Sequence, residues 1–248
     1  MADMTKGERI AEERIAEAVR TGQDWLHLDG LGLTRLPDAL SKLTKLKRLS
    51  IGAFFQVQAE NTYHRPSITA RNSLSDISAV ASLSGLRELH IDHTNCNDLS
   101  PIARLRQLQY LNCRYTKVSD LSPIAGLQQL QTLNCSNTEV SRLAPIAWLQ
   151  QLQHLDCGET QVSDLSPIAG LQQLQHLSCW GTQVSDLSPI AGLQQLQRLD
   201  CNNTQVSDLS PSAGLQQLQD LDCKNTQVRD LSPIARLQQL QGLDCSGT

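Results

Sequence analysis

Aromatic residues are scarce in this chain of 248 residues: three Trp, three Tyr and two Phe, 3% of the sequence. Aromatic side chains usually supply much of a globular core, so this core must be built from something else. Long apolar runs are missing too, and none approaches the roughly 20 residues of a membrane-spanning helix. Neither sign of charge dominates. Lys plus Arg is 21 and Asp plus Glu is 25, for a net charge of −4, which argues against a nucleic-acid binder with a basic face. Residues 1–20 are charged throughout and lack the apolar stretch of a secretory signal, so no export by that route and no membrane anchoring are expected. The phosphate-binding GxxxxGK[ST], the zinc-protease HExxH and the nucleophile-elbow GxSxG are all absent, and so is any CxxC pair. No catalytic residue, metal site or cofactor is therefore expected, and the chain reads as non-enzymatic.

What is present is a repeat. Cysteines stand at Cys113, Cys135, Cys157, Cys179, Cys201, Cys223 and Cys245, in steps of 22 residues. With the first Leu of each unit as position 1, full units begin at Leu83, Leu105, Leu127, Leu149, Leu171, Leu193 and Leu215, and an incomplete one begins at Leu237. Leu43 opens a unit carrying 18 extra residues at about 52–69, and residues 26–40 are a divergent first copy. Leu at position 7 and Cys at position 9 alternate with polar residues, the period-2 signature of a strand with one buried face. Such a strand cannot bury that face alone, so successive units must stack into one parallel sheet. Pro at position 19 excludes a second strand, and Asp at position 16, as in Asp164, is suited to accept turn N–H groups. The return limb is expected to be a short turn or 3₁₀ piece with Ile at position 20 pointing inward. Ser212 replaces that Ile in one unit, a defect because a buried hydroxyl needs a partner.

The pattern L-x-x-L-x-C-x-x-T-x-V, as in Leu174, Leu177, Cys179, Thr182 and Val184, resembles the leucine-rich repeat family, with Cys where the family usually has Leu and Thr where it has Asn. Asn72 keeps the Asn. The tail from Val162 to Gly170 is similar to the 22-residue repeats of bacterial internalin-type proteins. The resemblance implies an α/β leucine-rich repeat solenoid, an arc with a concave parallel sheet and a turn or 3₁₀ convex side. It covers residues 25–248, about ten repeats. Residues 1–24 read as a helical cap: Thr5 with Glu8 matches a capping box, Gly22 a stop, and Ala11, Ile15, Ala18 and Val19 one apolar face. Gly7 to Leu40 also resembles the start of bacterial Roco-type proteins, whose repeats precede a Ras-like GTPase; that resemblance implies a recognition arm.

The cysteine column reads as core. Inward strand side chains run parallel rather than converging as a disulfide requires, and Cys is a small, readily buried hydrophobe. Free thiols suit a reducing cytoplasm. The Thr column is expected to bond carbonyls of the neighbouring turn. The frame repeats, so functional residues should break the period. Positions 6, 8, 10 and 11 vary, and they are expected on the concave face. Exposed Tyr, Trp and Arg are typical interface anchors, so the expected partner-binding residues are Tyr110, Arg114, Tyr115, His154, His176, Trp180 and Arg198. The partner is expected to be a protein, of identity the sequence leaves open. The insertion is the second candidate, through Phe54, Phe55, Tyr63, His64 and Arg65. Trp148, at position 22, is expected to pack along a convex edge. The last strand lacks the second half of its repeat, so self-association through its edge is a further expectation. A host-directed effector or internalin-like adhesion protein is the alternative to the Roco-type arm.

Overall fold

The cysteine spacing becomes a geometric spacing in the computed structural model, which describes residues 4–52 and 70–248. Helix α1 (Lys6–Thr21) is followed by ten three-residue strands. They are β1 (Trp25–His27), β2 (Arg48–Ser50), β3 (Glu88–His90), β4 (Tyr110–Asn112) and β5 (Thr132–Asn134), then β6 (His154–Asp156), β7 (His176–Ser178), β8 (Arg198–Asp200), β9 (Asp220–Asp222) and β10 (Gly242–Asp244). All ten form one parallel sheet in chain order. Its register pairs like positions, Leu155 with Leu177 and Leu177 with Leu199. Each full Cys-bearing unit returns through a three-residue 3₁₀ turn such as Ser166–Ile168, with Pro in its first turn. In all of these turns but Ala144–Ile146, where Arg142 stands in place of Asp, an Asp carboxylate accepts the N–H of the Ser two residues on, Asp164 from Ser166 at 2.7 Å. The same serines hold the carboxyls of Asp98, Asp120, Asp186, Asp208 and Asp230 below the usual range.

The core is a set of ladders running the length of the solenoid. In one unit Leu149, Leu152, Leu155, Cys157, Val162, Leu165 and Ile168 are all buried, and the next unit repeats them. The cysteines are free thiols, buried except for Cys245. Burial, and then the neighbouring thiols, push Cys135, Cys157 and Cys179 well above the ordinary thiol range. The thiols of Cys113 and Cys157 donate to carbonyl oxygens of Asn134 and Ser178 on the next strand, at 3.3 and 3.4 Å. Cys179→Ser is expected to destabilise the fold by roughly 1–3 kcal/mol, since a hydroxyl is costlier than a thiol to remove from water. A chemical-denaturation midpoint identical to that of the wild type would refute this.

Three expectations are corrected. The Thr column does not reach the neighbouring turn: each hydroxyl donates to the carbonyl three residues back in its own repeat, Thr116 to Cys113 at 2.6 Å and Thr182 to Cys179 at 2.5 Å. One donor on a short stem closes the nearest turn. Asn72 does bridge repeats, donating to the carbonyls of Leu28 and Ile51 and accepting the N–H of Leu33, all at 2.8 Å. Val19 is 51% exposed; the helix packs through Gly7, Ala11, Ile15 and Ala18, a narrower stripe that leaves Val19 to one side. Trp148 is 73% exposed and packs along no edge, because position 22 lies beyond the inward-facing Ile of the turn. Ser212 conforms to expectation: it is fully buried and its hydroxyl has no partner.

The cap is built as its sequence suggests. Thr5 and Glu8 exchange both bonds of the capping box, and Gly22 ends the helix in the left-handed conformation. A Cβ on Gly7 would lie 1.8 Å from the carbonyl oxygen of Leu31, so only glycine lets α1 sit this close to the first repeat. The insertion residues Phe54, Phe55, Tyr63, His64 and Arg65 lie outside the described residues.

Candidate functional site

From β3 to β9 each three-residue strand buries its middle Leu in the core and turns its first and third side chains toward the other face. Because the register pairs like positions, these outward side chains line up in two columns. From β4 to β10 they wall a groove of about 790 Å³, lined among others by Tyr110, His154, His176, Arg198, Asp200 and Asp222. His154 and His176 face each other across β6 and β7. Their ring centroids are 4.3 Å apart and the rings meet edge to face. Burial lowers the pKa of both, and His176 is lowered further by His154 and Arg198. Both shifts favour the neutral imidazole, opposed at His176 by Asp220. Arg198 Nε lies 3.0 Å from Asp220 Oδ2 on the neighbouring strand, with both side chains largely exposed; such a pair adds little stability but holds the guanidinium to one side.

The groove is uneven in charge. Its β4–β5 end carries Tyr110, Thr132 and Asn134, and the His pair follows. Its far end carries Asp200, Asp220, Asp222 and Asp244 against Arg198 alone. Burial and the nearby Asp222 raise the pKa of Asp200.

The structure divides the expected binding residues. Tyr110, His154, His176 and Arg198 line the groove. Arg114, Tyr115 and Trp180 come two or three residues after the strands end, on a ledge beside it. Trp180 lies over the Gly158 backbone, where a Cβ would be 2.1 Å from the indole nitrogen. Tyr115 is 47% exposed and stacks on His93, centroids 4.3 Å apart and planes 13° from parallel. Arg114 lies 6.0 Å from the centre of the Tyr115 ring. His90 stacks on Tyr110 at 4.8 Å. Sequence reasoning passed over His90 and His93; their signal was their place in the columns that hold Asn112 and Tyr115 one repeat on.

At the N-terminal end Asp29 and Asp92 are buried. Asp29 accepts the Ser50 hydroxyl at 2.5 Å. Burial outweighs that bond, the nearby Asp92 adds to it, and the carboxyl is pushed up to about 6. Between about pH 4 and 6 the folded state therefore binds more protons than the unfolded state, so this group makes stability rise as pH falls through 6. The expected gain between pH 7 and pH 4 is up to about 3 kcal/mol. Because burial lowers the pKa of His90 to about 4 and makes it act in the opposite sense over the same range, the contribution is read as the pH 7 to pH 4 change in the wild type minus that in Asp29→Asn; no difference between the two proteins would refute it.

Among the described residues no group of three or more His, Cys, Asp or Glu side chains is arranged to hold a metal ion. No described helix is long and apolar enough to cross a membrane.

Comparison with known proteins places this architecture. The "Leucine-rich repeat region" model matches residues 64–200, and a model of "Leucine Rich repeats (2 copies)" matches residues 194–236. An internalin (inlF) from Listeria monocytogenes is 27% identical, with a TM-score of 0.82 over 96% of this chain and 68% of that one. Internalin C2 (inlC2) from the same organism is 35% identical, with a TM-score of 0.65 over 66% of this chain and 72% of that one. The functional domain of InlJ, also from Listeria monocytogenes and described as including a cysteine ladder, is 25% identical, with a TM-score of 0.67 over 93% of this chain and 50% of that one. No curated protein sequence matches the chain.

Proposed function

We propose, from the premise that this chain belongs to the leucine-rich repeat family, that its concave groove is the docking site of a protein partner. The family's fold is a protein-interaction scaffold, and solenoids of this kind present extended concave surfaces for binding. The observation that carries the reading is the contrast between frame and groove. Core and turn positions are copied from repeat to repeat, whereas the outer column of the groove wall changes along its length, Tyr110, Thr132, His154, His176, Arg198 and Asp220, with only the His repeated. Catalysis is no part of this reading.

The test is capture of partners from the source organism by the wild-type chain, followed by the triple variant His154→Ala, His176→Ala, Arg198→Ala. These side chains face outward, so the variant should melt like the wild type. It should lose at least tenfold in affinity for a partner that docks in the groove. Equal affinity in the two proteins would remove the groove from consideration.

Likeness to internalins favours a second reading, a host-directed effector or adhesion protein. It predicts that the chain is recovered outside the producing cell, and that release stops when a dedicated secretion machine is disabled. The Roco-type arm rests on residues 7–40 alone, and a GTPase reading frame continuous with this one would support it. The cytoplasmic reading rests on the free thiols, which suit a reducing compartment.

A further inference from the structure

Arginines in this chain are mostly either exposed or engaged. Arg48 lies near Asp24, Arg198 pairs with Asp220, and Arg14 donates to the carbonyl of His27. Arg114 is different. It is half-buried, its Nε is shielded from water, and that atom meets no hydrogen-bond acceptor. No ion pair among the described residues includes it. Its charge is felt as repulsion instead: after burial, it is the next cause lowering the pKa values of His90 and His93. A partner cannot reach the shielded Nε, but the outer nitrogens of this half-buried guanidinium make no hydrogen bond among the described residues, and they are the donors an incoming anion would meet.

The backbone beside it is unusual in the same direction. Among the described residues the one at position 11 of each repeat is left-handed, and Asn137, Asn203, Asn225, Gly30, Gly181 and Gly247 tolerate this readily. Tyr115 and His93 adopt it with φ of 54° and 56°, as Glu159 does with φ of 49°, a region that residues other than Gly, Asn and Asp enter less readily. What the strained pair provides is a stacked ring surface beside the guanidinium, half of the Tyr115 side turned to solvent.

We propose that Arg114, beside the ring of Tyr115, receives the carboxylate of an acidic side chain on the protein partner, with an apolar neighbour of that side chain lying on the Tyr115 ring. The inference rests on the protein-docking reading above and adds the chemistry of one contact. Carboxylate is the fitting anion because the guanidinium offers parallel donors that match its two oxygens. The Tyr115 ring face, already close to a cation, accepts the aliphatic or aromatic residue next to it. The site lies at the β4 end of the groove, away from the aspartates of β8–β10, and the one carboxylate in its own column, Asp92 on the preceding repeat, is buried and accepts from Asn112, so a partner with an acidic segment can seat there.

Two probes test this: an acetylated, amidated pentapeptide alternating Glu and Phe, and its twin with Gln in place of Glu. Binding is followed by NMR at the Arg114 Nε–H group. The acidic peptide is expected to bind the wild type at least tenfold more tightly than the twin and to shift that resonance. Arg114→Gln should erase the preference without moving the thermal midpoint, Arg114→Lys should retain part of it, and Arg104→Gln, an exposed arginine of the return turn, should leave it intact. Tyr115→Gly should weaken both peptides while relieving backbone strain. Equal binding of the two peptides to the wild type, or a preference that survives Arg114→Gln, would overturn the proposal. The docking reading would still stand if the groove triple variant lost its partner.

Discussion

Ser212→Ile is expected to stabilise the chain by about 2–4 kcal/mol. The side chain is fully buried at the position where the neighbouring turns place Ile190 and Ile234, and its hydroxyl has no partner. Two effects act in the same direction. Filling the position restores the packing that Ile→Ala truncations forfeit at about 2–5 kcal/mol, and removing an unsatisfied hydroxyl recovers part of its about 1–3 kcal/mol desolvation cost. The two do not add in full, because the hydroxyl and the missing methyl groups occupy the same space. A higher urea midpoint with an unchanged slope is the expected result. A midpoint that stays in place would mean that the surrounding ladders have already closed around Ser212.

Asn72→Ala is expected to cost about 3–5 kcal/mol. Asn72 is 1% exposed, and its amide ties together three backbone groups in two repeats. Truncation leaves the Leu33 N–H and the carbonyls of Leu28 and Ile51 short of a partner, each at about 1–3 kcal/mol less whatever water recovers. Asn72→Thr should be nearly as damaging, since the Thr hydroxyls elsewhere in the chain reach only their own repeat. The loss should be local, because each repeat touches only its neighbours. Amide exchange should accelerate at Leu33 and around Trp25 while Leu199 and Leu221 stay protected. Uniform acceleration along the solenoid, or a loss below about 1 kcal/mol, would count against the bridging role of Asn72.

The contrast between these two residues shows what periodicity conveys. Ser212 could be recognised as a defect from the chain alone, because position 20 is defined by its Ile neighbours and the cost of a buried hydroxyl does not depend on details. The bonding of the Thr column was not legible in the same way. Position 12 holds a small polar residue whichever carbonyl it meets, and the choice between its own repeat and the next turns on about an ångström of side-chain reach. Trp148 likewise stood at a defined position, but whether position 22 packs or protrudes depends on where the 3₁₀ turn ends.

The candidate site divides along the same line. Alternation over β4–β10 marks which side chains point out of the core, so Tyr110, His154, His176 and Arg198 were legible as surface residues, and so was the acidic run of Asp200, Asp222 and Asp244. The sequence also suggested that Arg114, Tyr115 and Trp180 share their wall. The structure ends each strand at position 8 and turns the chain through a left-handed residue at position 11, which sets these three on a separate ledge. Period, inward face and helical cap are local properties, set by the 22-residue spacing, by Leu and Cys alternating with polar residues, and by Thr5, Glu8 and Gly22. The half-buried histidine pair, the raised Asp29 carboxyl, the Tyr115–His93 stack and the Arg114 side chain without an ion pair are not local. Each depends on side chains brought into contact from different repeats, where burial and neighbouring charge act over a few ångströms of space rather than along the chain.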